Sequence, residues 1–520
     1  MGAMAVETEA GREPSPQQVE VVEGYASDAR IGRLKGDHLR FLRVIAESVG
    51  IQGPTGGVVI TAAILAGIAG GGTALIQLIA AVAMGFVAYA FVIFTRGFNS
   101  AGSVYGFTGA VAGPLFGFLS AWALLLVYVN FAGGVYASTA DEAQPAFASL
   151  GIHWPWPAYA LIVAALVIAL ALADVKVSAG VILVVEGVSM LLVIVASIII
   201  TIKGGHHGHA LSSAPFRASG LAGPALGLGV VYAFSVFSGF EGAATLGEEA
   251  HQPRRNIPRA IWISLTVVAA YEILVSAVIQ NAFPSVKALS LAPVPLVSAT
   301  STYITPWFGD VIAWGAVMSS FGAALALVVG ASRMLFALAR DGFGPKVLTR
   351  TSRRSGAPVG AVGAVAVVSV ALLVAFLWEP LATTAVALIL TYGADLIIAA
   401  YILAVVAALV LVIRTRMPIY RGVILGVGLV ILGYVCKETF SPLPTGAYRW
   451  DFLLAVGTLV VGILLPLVFP GLRRGIARSP LLRVGSHALL GTRAHRGDGE
   501  PAQSAATEFP SRRSGSGLEA

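Results

Sequence analysis

Four carboxylates stand inside long apolar stretches of this chain: Glu186, Glu241, Glu272 and Asp395. An acid so placed either hydrogen-bonds where it stands or carries a proton, because burial disfavours its charged form. Two further stretches offer chemistry from the backbone alone. "VGIQGPTGGVV", Val49 to Val59, sets Pro54 and four glycines within eight residues, and "SGFEG", Ser238 to Gly242, sets glycines around Phe240 and Glu241. Proline removes a backbone donor and glycine weakens helical order, so each stretch would break a helix in mid-course. A severed helix exposes unpaired N–H groups at one new end and unpaired C=O groups at the other. Amides of Gly56 and Gly57, beside Gly53 and Thr55, can bind a carboxylate. Carbonyls near Val49–Ile51 and Phe237–Ser238 can accept from an ammonium group. A zwitterion fits between the two. The plainer alternative is a pair of kinks relieved by packing.

Ser319 and Ser320 are adjacent hydroxyls within another apolar stretch. Hard cations such as sodium want oxygen ligands, although serine in a membrane helix also simply bonds back to the preceding turn. The segment "GGHHGH", Gly204 to His209, lacks a neighbouring acid or cysteine and reads as a solvated loop, so no metal site is expected. No cofactor motif stands out. There is no GxxxxGK[ST] to cradle nucleotide phosphates, which argues against an ATP-driven pump, and no HExxH or GxSxG to mark a hydrolase, so no enzyme activity is expected.

The elements that must position these residues follow from composition. Of 520 residues, 57% are hydrophobic and 11% charged. Soluble domains carry about 25% charged residues, so lipid is the main solvent here. The formal net charge of +7 is no sign of nucleic acid, because in a membrane protein the position of charge matters more than its sum. A single cysteine, Cys436, excludes an intrachain disulfide. A helix needs about 20 apolar residues to cross the hydrocarbon. Twelve such spans are expected, at roughly 44–69, 75–95, 113–137, 157–173, 177–202, 221–246, 259–283, 310–338, 358–378, 384–413, 419–436 and 451–470. Residues 1–40 and 471–520 read as a disordered head and tail, with the span-bearing domain at 41–470 between them. The head shows no cleavable signal peptide.

With both termini in the cytoplasm, 28 of the 33 lysines and arginines fall inside and five outside, as positive charge marks the cytoplasmic side. The expected fold class is an all-α integral membrane protein of twelve transmembrane helices. Its breaks fall in spans one and six, which open two five-helix sets running in opposite directions. That is the layout of a five-plus-five inverted repeat, with a discontinuous helix from each half at the midplane.

Three segments carry a resemblance. "NSAGSVYGFTGAVAGPLFGFLSAW" (Asn99 to Trp122), "FSGFEGAATLGEEAHQPRRNIPRAI" (Phe237 to Ile261) and "SRMLFALARDGFGPKVL" (Ser332 to Leu348) resemble, in order, the approach to helix three, helix six with its following loop, and the helix-eight exit of the amino acid–polyamine–organocation permeases. The likeness covers roughly residues 40–440. It implies a secondary transporter with two accessory helices after the repeat, in which Phe240 lies against the substrate and Glu241 is held by freed helix ends. Span one departs from the family, where many members have Gly-x-Gly and this chain has Gln-Gly-Pro-Thr-Gly-Gly. Some relatives keep a proton-responsive lysine in helix five; here the interior charge of span five is Glu186. Glu248, Glu249, Arg254 and Arg255 would pair with Arg340 and Asp341 when a cytoplasmic gate closes, unless they are only a solvated helix end.

The expected function is a cell-membrane permease moving amino acids or related amines by alternating access, with protons as the coupling ion and Glu186 as carrier. Sodium at Ser319, Ser320 and span-one carbonyls is the rival, disfavoured because no carboxylate is expected there to offset the charge. An uncoupled exchanger or channel and a non-transporting sensor remain as alternatives.

Overall fold

The computed structural model describes residues 39–206, 208, 212–218, 224–292, 294–441, 446 and 448–469, with single residues 34, 472, 479, 486, 489 and 490. Sixteen α-helices carry the described chain: α1 (Phe41–Gln52), α2 (Pro54–Ala69), α3 (Thr73–Gly97), α4 (Val104–Ala112), α5 (Pro114–Ala148), α6 (Trp156–Ala171), α7 (Val175–Ile202), α8 (Pro224–Val236), α9 (Pro253–Ala282), α10 (Val286–Ser290), α11 (Pro295–Tyr303), α12 (Pro306–Leu338), α13 (Val359–Val374), α14 (Ala382–Arg414), α15 (Ile419–Phe440) and α16 (Tyr448–Val468). Among the described residues no strand forms. One isolated parallel bridge joins Leu39 to Ala250.

Among the described residues, nine helical segments are long and apolar enough to cross a membrane, and the bent pair over Phe41–Ala69 makes ten. At two further expected spans, 157–173 and 358–378, stand α6 and α13, apolar helices of 16 residues each that fall short of that length. The chain is a multi-pass membrane protein. In α7 the buried residues Ile182, Glu186, Ser189, Val193, Ala196 and Ile200 repeat at helical spacing, while Val184, Val188, Leu191 and Ile198 stay exposed. An apolar face left outside a packed bundle is a face for lipid, and the inward stripe is where Glu186 sits.

Two boundaries depart from expectation in ways that matter. The third span, expected to stop at 137, continues in α5 to Ala148. Its apolar run ends there, but the backbone hydrogen bonds do not. The sixth span does not resume as an α-helix after its break. α8 stops at Val236, Gly239 takes φ 103°, and Phe240–Leu246 follows as a 3-10 turn.

That unwinding has a packing cause. A Cβ on Gly239 would stand 2.4 Å from Ile51 Cγ2, and one on Gly242 2.5 Å from Ile51 Cδ1. Only glycine lets this segment press so closely on α1. Its freed backbone groups are met from α1 as well: Ser48 Oγ donates to the Phe240 carbonyl at 2.7 Å and accepts from the Ala243 amide at 2.8 Å. One hydroxyl thus replaces two helical bonds that the 3-10 segment lacks.

Candidate functional site

The first span breaks at Gly53, whose φ of 52° and ψ of 55° cap α1 in the left-handed region. Its N–H donates to the carbonyls of Val49 and Gly50 at 3.1 and 2.9 Å. Pro54 then opens α2, where its missing N–H costs nothing because a first-turn donor has no helical partner. The next two donors do need one. The amides of Thr55 and Gly56 both donate to Ser319 Oγ of α12, each at 3.2 Å. Gly57, by contrast, donates to the Gly53 carbonyl at 2.9 Å, so its amide is already spent on the helix. Thr55 Oγ1 shares a 2.9 Å hydrogen bond with the Tyr271 hydroxyl of α9.

Ser319 does not stop there. Its hydroxyl donates to Glu186 Oε2 of α7 at 2.9 Å, and the adjacent Ser320 donates to Glu142 Oε1 of α5 at the same distance. A Cβ on Gly56 would lie 2.3 Å from Ser320 Oγ and 3.4 Å from Glu142 Oε1. On the other side of the turn, Glu272 Oε1 lies 3.3 Å from a Cβ on Gly57, and Gln77 Nε2 donates to Glu272 Oε2 at 3.1 Å. Three carboxyls from α5, α7 and α9 therefore converge on one broken turn. The positive end of the α2 dipole points into that cluster.

Glu142 is the residue that sequence reading missed. Asp141 and Glu142 follow the apolar run and look like a charged loop. The available signal was the unbroken helix-compatible stretch "ASTADEAQ", which carries Glu142 about four turns beyond Tyr128 on the same α5. The supposed absence of a carboxylate beside Ser319 and Ser320 is corrected: each serine donates to one.

The second break gathers a different set. Glu241 is fully buried and accepts from the Tyr128 hydroxyl (3.1 Å), the Tyr401 hydroxyl (2.8 Å) and the Gly239 amide (3.2 Å). Helix-end amide and two tyrosines share the acid. Phe237 is buried, and Ser238 Oγ donates back to the Ser235 carbonyl at 2.6 Å. Phe240 packs edge-on against Phe91, with ring centroids 5.4 Å apart, and at 5.6 Å against Tyr401. No α-helix follows this break to aim amides at a ligand, which makes the two breaks chemically unequal.

Beyond the break, the acids of "GEEA" pair with α12 and its exit. Glu248 takes Arg340 in two hydrogen bonds, of 2.8 and 2.5 Å, and accepts the Ala101 amide at 3.1 Å. Burial alone would raise the Glu248 carboxyl, but Arg340 and the amide hold it below its ordinary 4.5. Glu249 pairs with Arg333, both side chains buried. Arg333 was not among the expected gate residues, because it sits inside an apolar span rather than at its end. Asp341 accepts from the Tyr105 hydroxyl at 2.8 Å and from Ser479, a residue of the expected tail. Arg254 and Arg255 lie exposed on the first turn of α9. The Leu39 and His251 amides donate to the Glu249 and Leu39 carbonyls at 2.9 and 3.0 Å, tying the entry of α1 to the same cluster.

Among the described residues no group of three histidine, cysteine, aspartate or glutamate side chains is disposed to hold a metal ion. The segment "GGHHGH" lies partly outside the described residues.

Residues 47–465 match the model of a family described as amino acid permease. The chain is 27% identical over 311 residues to the branched-chain amino acid permease BcaP of Bacillus subtilis, covering 56% of this chain and 64% of that one. It is 28% identical over 338 residues to cationic amino acid transporter 3 of Arabidopsis thaliana, covering 62% and 54%. Against the human cationic amino acid transporter 4 it is 29% identical over 317 residues, covering 58% and 49%. In each case the chain spans between about half and two thirds of the relative's length. A family match that runs from α1 to α16 takes in both breaks, the acid cluster at Ser319 and the Glu248–Arg340 pair; the chain belongs to the amino acid permease family.

Proposed function

We propose that this chain is a secondary active transporter of amino acids or related amines, working in the cell membrane by alternating access. Its twelve helices form a five-plus-five inverted repeat plus two accessory helices, with both termini cytoplasmic. Relatives named for branched-chain and for cationic amino acids support the substrate class. The substrate's carboxylate sits at the Thr55 and Gly56 amides, displacing Ser319 Oγ from them. Its ammonium group meets carbonyls at the ends of α1 and α8, and Phe240 closes over it.

One observation carries the mechanism: Ser319 Oγ accepts from both amides while donating to Glu186. A substrate carboxylate that displaces Ser319 arrives close to a buried acid. Two negative charges in low dielectric repel, so binding the carboxylate favours a proton on Glu186, and by linkage the proton favours substrate. Cotransport of the two follows, with Glu186 releasing its proton when the other side opens. The Glu248–Arg340 and Glu249–Arg333 pairs and the Tyr105–Asp341 bond close the cytoplasmic gate until then.

The purified protein in proteoliposomes tests this. Labelled amino acid should accumulate when an inward pH gradient is imposed at constant sodium. Binding without uptake would make the chain a sensor, and exchange insensitive to any gradient an uncoupled carrier. A second reading, sodium coupling, gains from the two carboxylates beside Ser319 and Ser320. Uptake driven by sodium at constant pH would establish it in place of the proton.

A further inference from the structure

Glu142, Glu186 and Glu272 surround the start of α2, and among the described residues none of them forms an ion pair. Each keeps one oxygen, Glu142 Oε2, Glu186 Oε1 and Glu272 Oε1, buried and without a hydrogen-bond partner. Glu186 is 2% exposed and Glu272 fully buried, and the orphaned Glu272 Oε1 is the atom that faces Gly57 in the break. Orphaned carboxyl oxygens in a dry site are costly, and native structures keep them where something else supplies the partner. A zwitterion spends its carboxylate on the α2 amides and its ammonium on the carbonyls at the ends of α1 and α8, so neither group is left for these acids.

The three acids are not equivalent. Sealed oxygens on Glu186 and Glu272 can be satisfied by a proton, which needs no room. Glu142 is only half-buried, on the last turns of α5, and Ser320 already orients it toward Gly56. A cationic group carried in by the substrate can reach it.

Resting on the permease reading, we propose that Glu142 recognises a second positive charge on the substrate, and that the site prefers dibasic amino acids, such as lysine and ornithine, over neutral ones. The substrate carboxylate takes the α2 amides, and the side-chain ammonium takes the Glu142 carboxylate held by Ser320. Glu142 is thus a specificity-determining residue, while the proton remains with Glu186.

The experiment uses the full chain in proteoliposomes with labelled lysine and labelled leucine at equal concentration, for wild type, Glu142→Gln and Glu142→Asp. Monodispersity in detergent checks that each variant folds. Wild type should prefer lysine. Glu142→Gln should lower the lysine-to-leucine ratio by about tenfold or more, the scale of one lost hydrogen bond to a charged group, and Glu142→Asp should restore part of it. A wild type that takes up leucine in preference to lysine overturns the inference while leaving the permease reading intact. So does an unchanged ratio in Glu142→Gln, including the case where that variant loses only its response to a pH gradient, which would make Glu142 a proton site. If Glu142→Gln does not fold, Ser320→Ala, which releases Glu142 without removing it, must lower the same ratio or the inference fails. Uptake of no amino acid by the wild type overturns the permease reading and this inference together.

Discussion

Ser319 Oγ stands 2.9 Å from Glu186 Oε2 and 3.2 Å from the amides of both Thr55 and Gly56. One hydroxyl therefore joins a buried acid on α7 to the open end of α2. Glu186→Gln should abolish accumulation driven by a pH gradient but keep exchange of substrate across the membrane, since a fixed neutral group still permits the loaded transition. Counterflow measured beside gradient-driven uptake checks this. Accumulation by the variant equal to wild type would remove Glu186 from coupling.

Gly56→Ala probes the other side of that turn. The new methyl group would sit 2.3 Å from Ser320 Oγ, so the hydroxyl must rotate away and release Glu142. Losing one hydrogen bond to a carboxylate, about 1.5–3 kcal/mol, should weaken substrate binding by about tenfold or more while the folded yield stays normal. Isothermal titration or a scintillation proximity assay on the purified protein reads the change.

Gly239→Ala should be far more damaging to the fold. Its φ of 103° is closed to a side chain, and Ile51 Cγ2 stands 2.4 Å from the new Cβ. Backbone strain and overpacking together predict a loss of about 2–4 kcal/mol, seen as a lower unfolding temperature in detergent. Gly187→Ala, on the exposed face of α7 with open space around it, serves as the control and should be neutral or slightly stabilising.

The Glu248–Arg340 pair predicts an acid limb in stability. Arg340 holds the Glu248 carboxyl below its ordinary 4.5 despite burial. A carboxyl depressed in the folded state stabilises that state above its unfolded value, and the contribution fades as pH falls through the folded one. Unfolding temperature should therefore drop below pH of about 4.5, and Glu248→Gln should flatten part of that drop. A Glu248→Gln profile that superimposes on wild type would show the pair contributes nothing to it.

Much of this was legible in the residues. Charge too sparse for a water-soluble chain required an all-helical membrane protein, since a lipid-exposed backbone must bond within its own segment. Pro54 and the neighbouring glycines marked the first break because they act through φ and a missing donor, which depend on residue type alone. Gly239 and Gly242 marked the second for the same reason.

Only the tertiary structure decided what met those breaks. Glu142 lies past the end of the third expected span, because hydropathy tracks the apolar run and cannot see α5 continuing beyond it to carry the acid back against Gly56. Arg333 likewise hid inside an apolar span until its partner Glu249 arrived from a segment 84 residues away in the chain. The second break proved to be a 3-10 turn, since what sets its shape is Ile51 packing on two glycines and Ser48 bonding across to Phe240. Local chemistry is written in residue type, but the partner of a freed amide or a buried carboxyl is chosen by which helix packs opposite it. That choice is made between residues 84 to 264 apart in the chain, where no local pattern reaches.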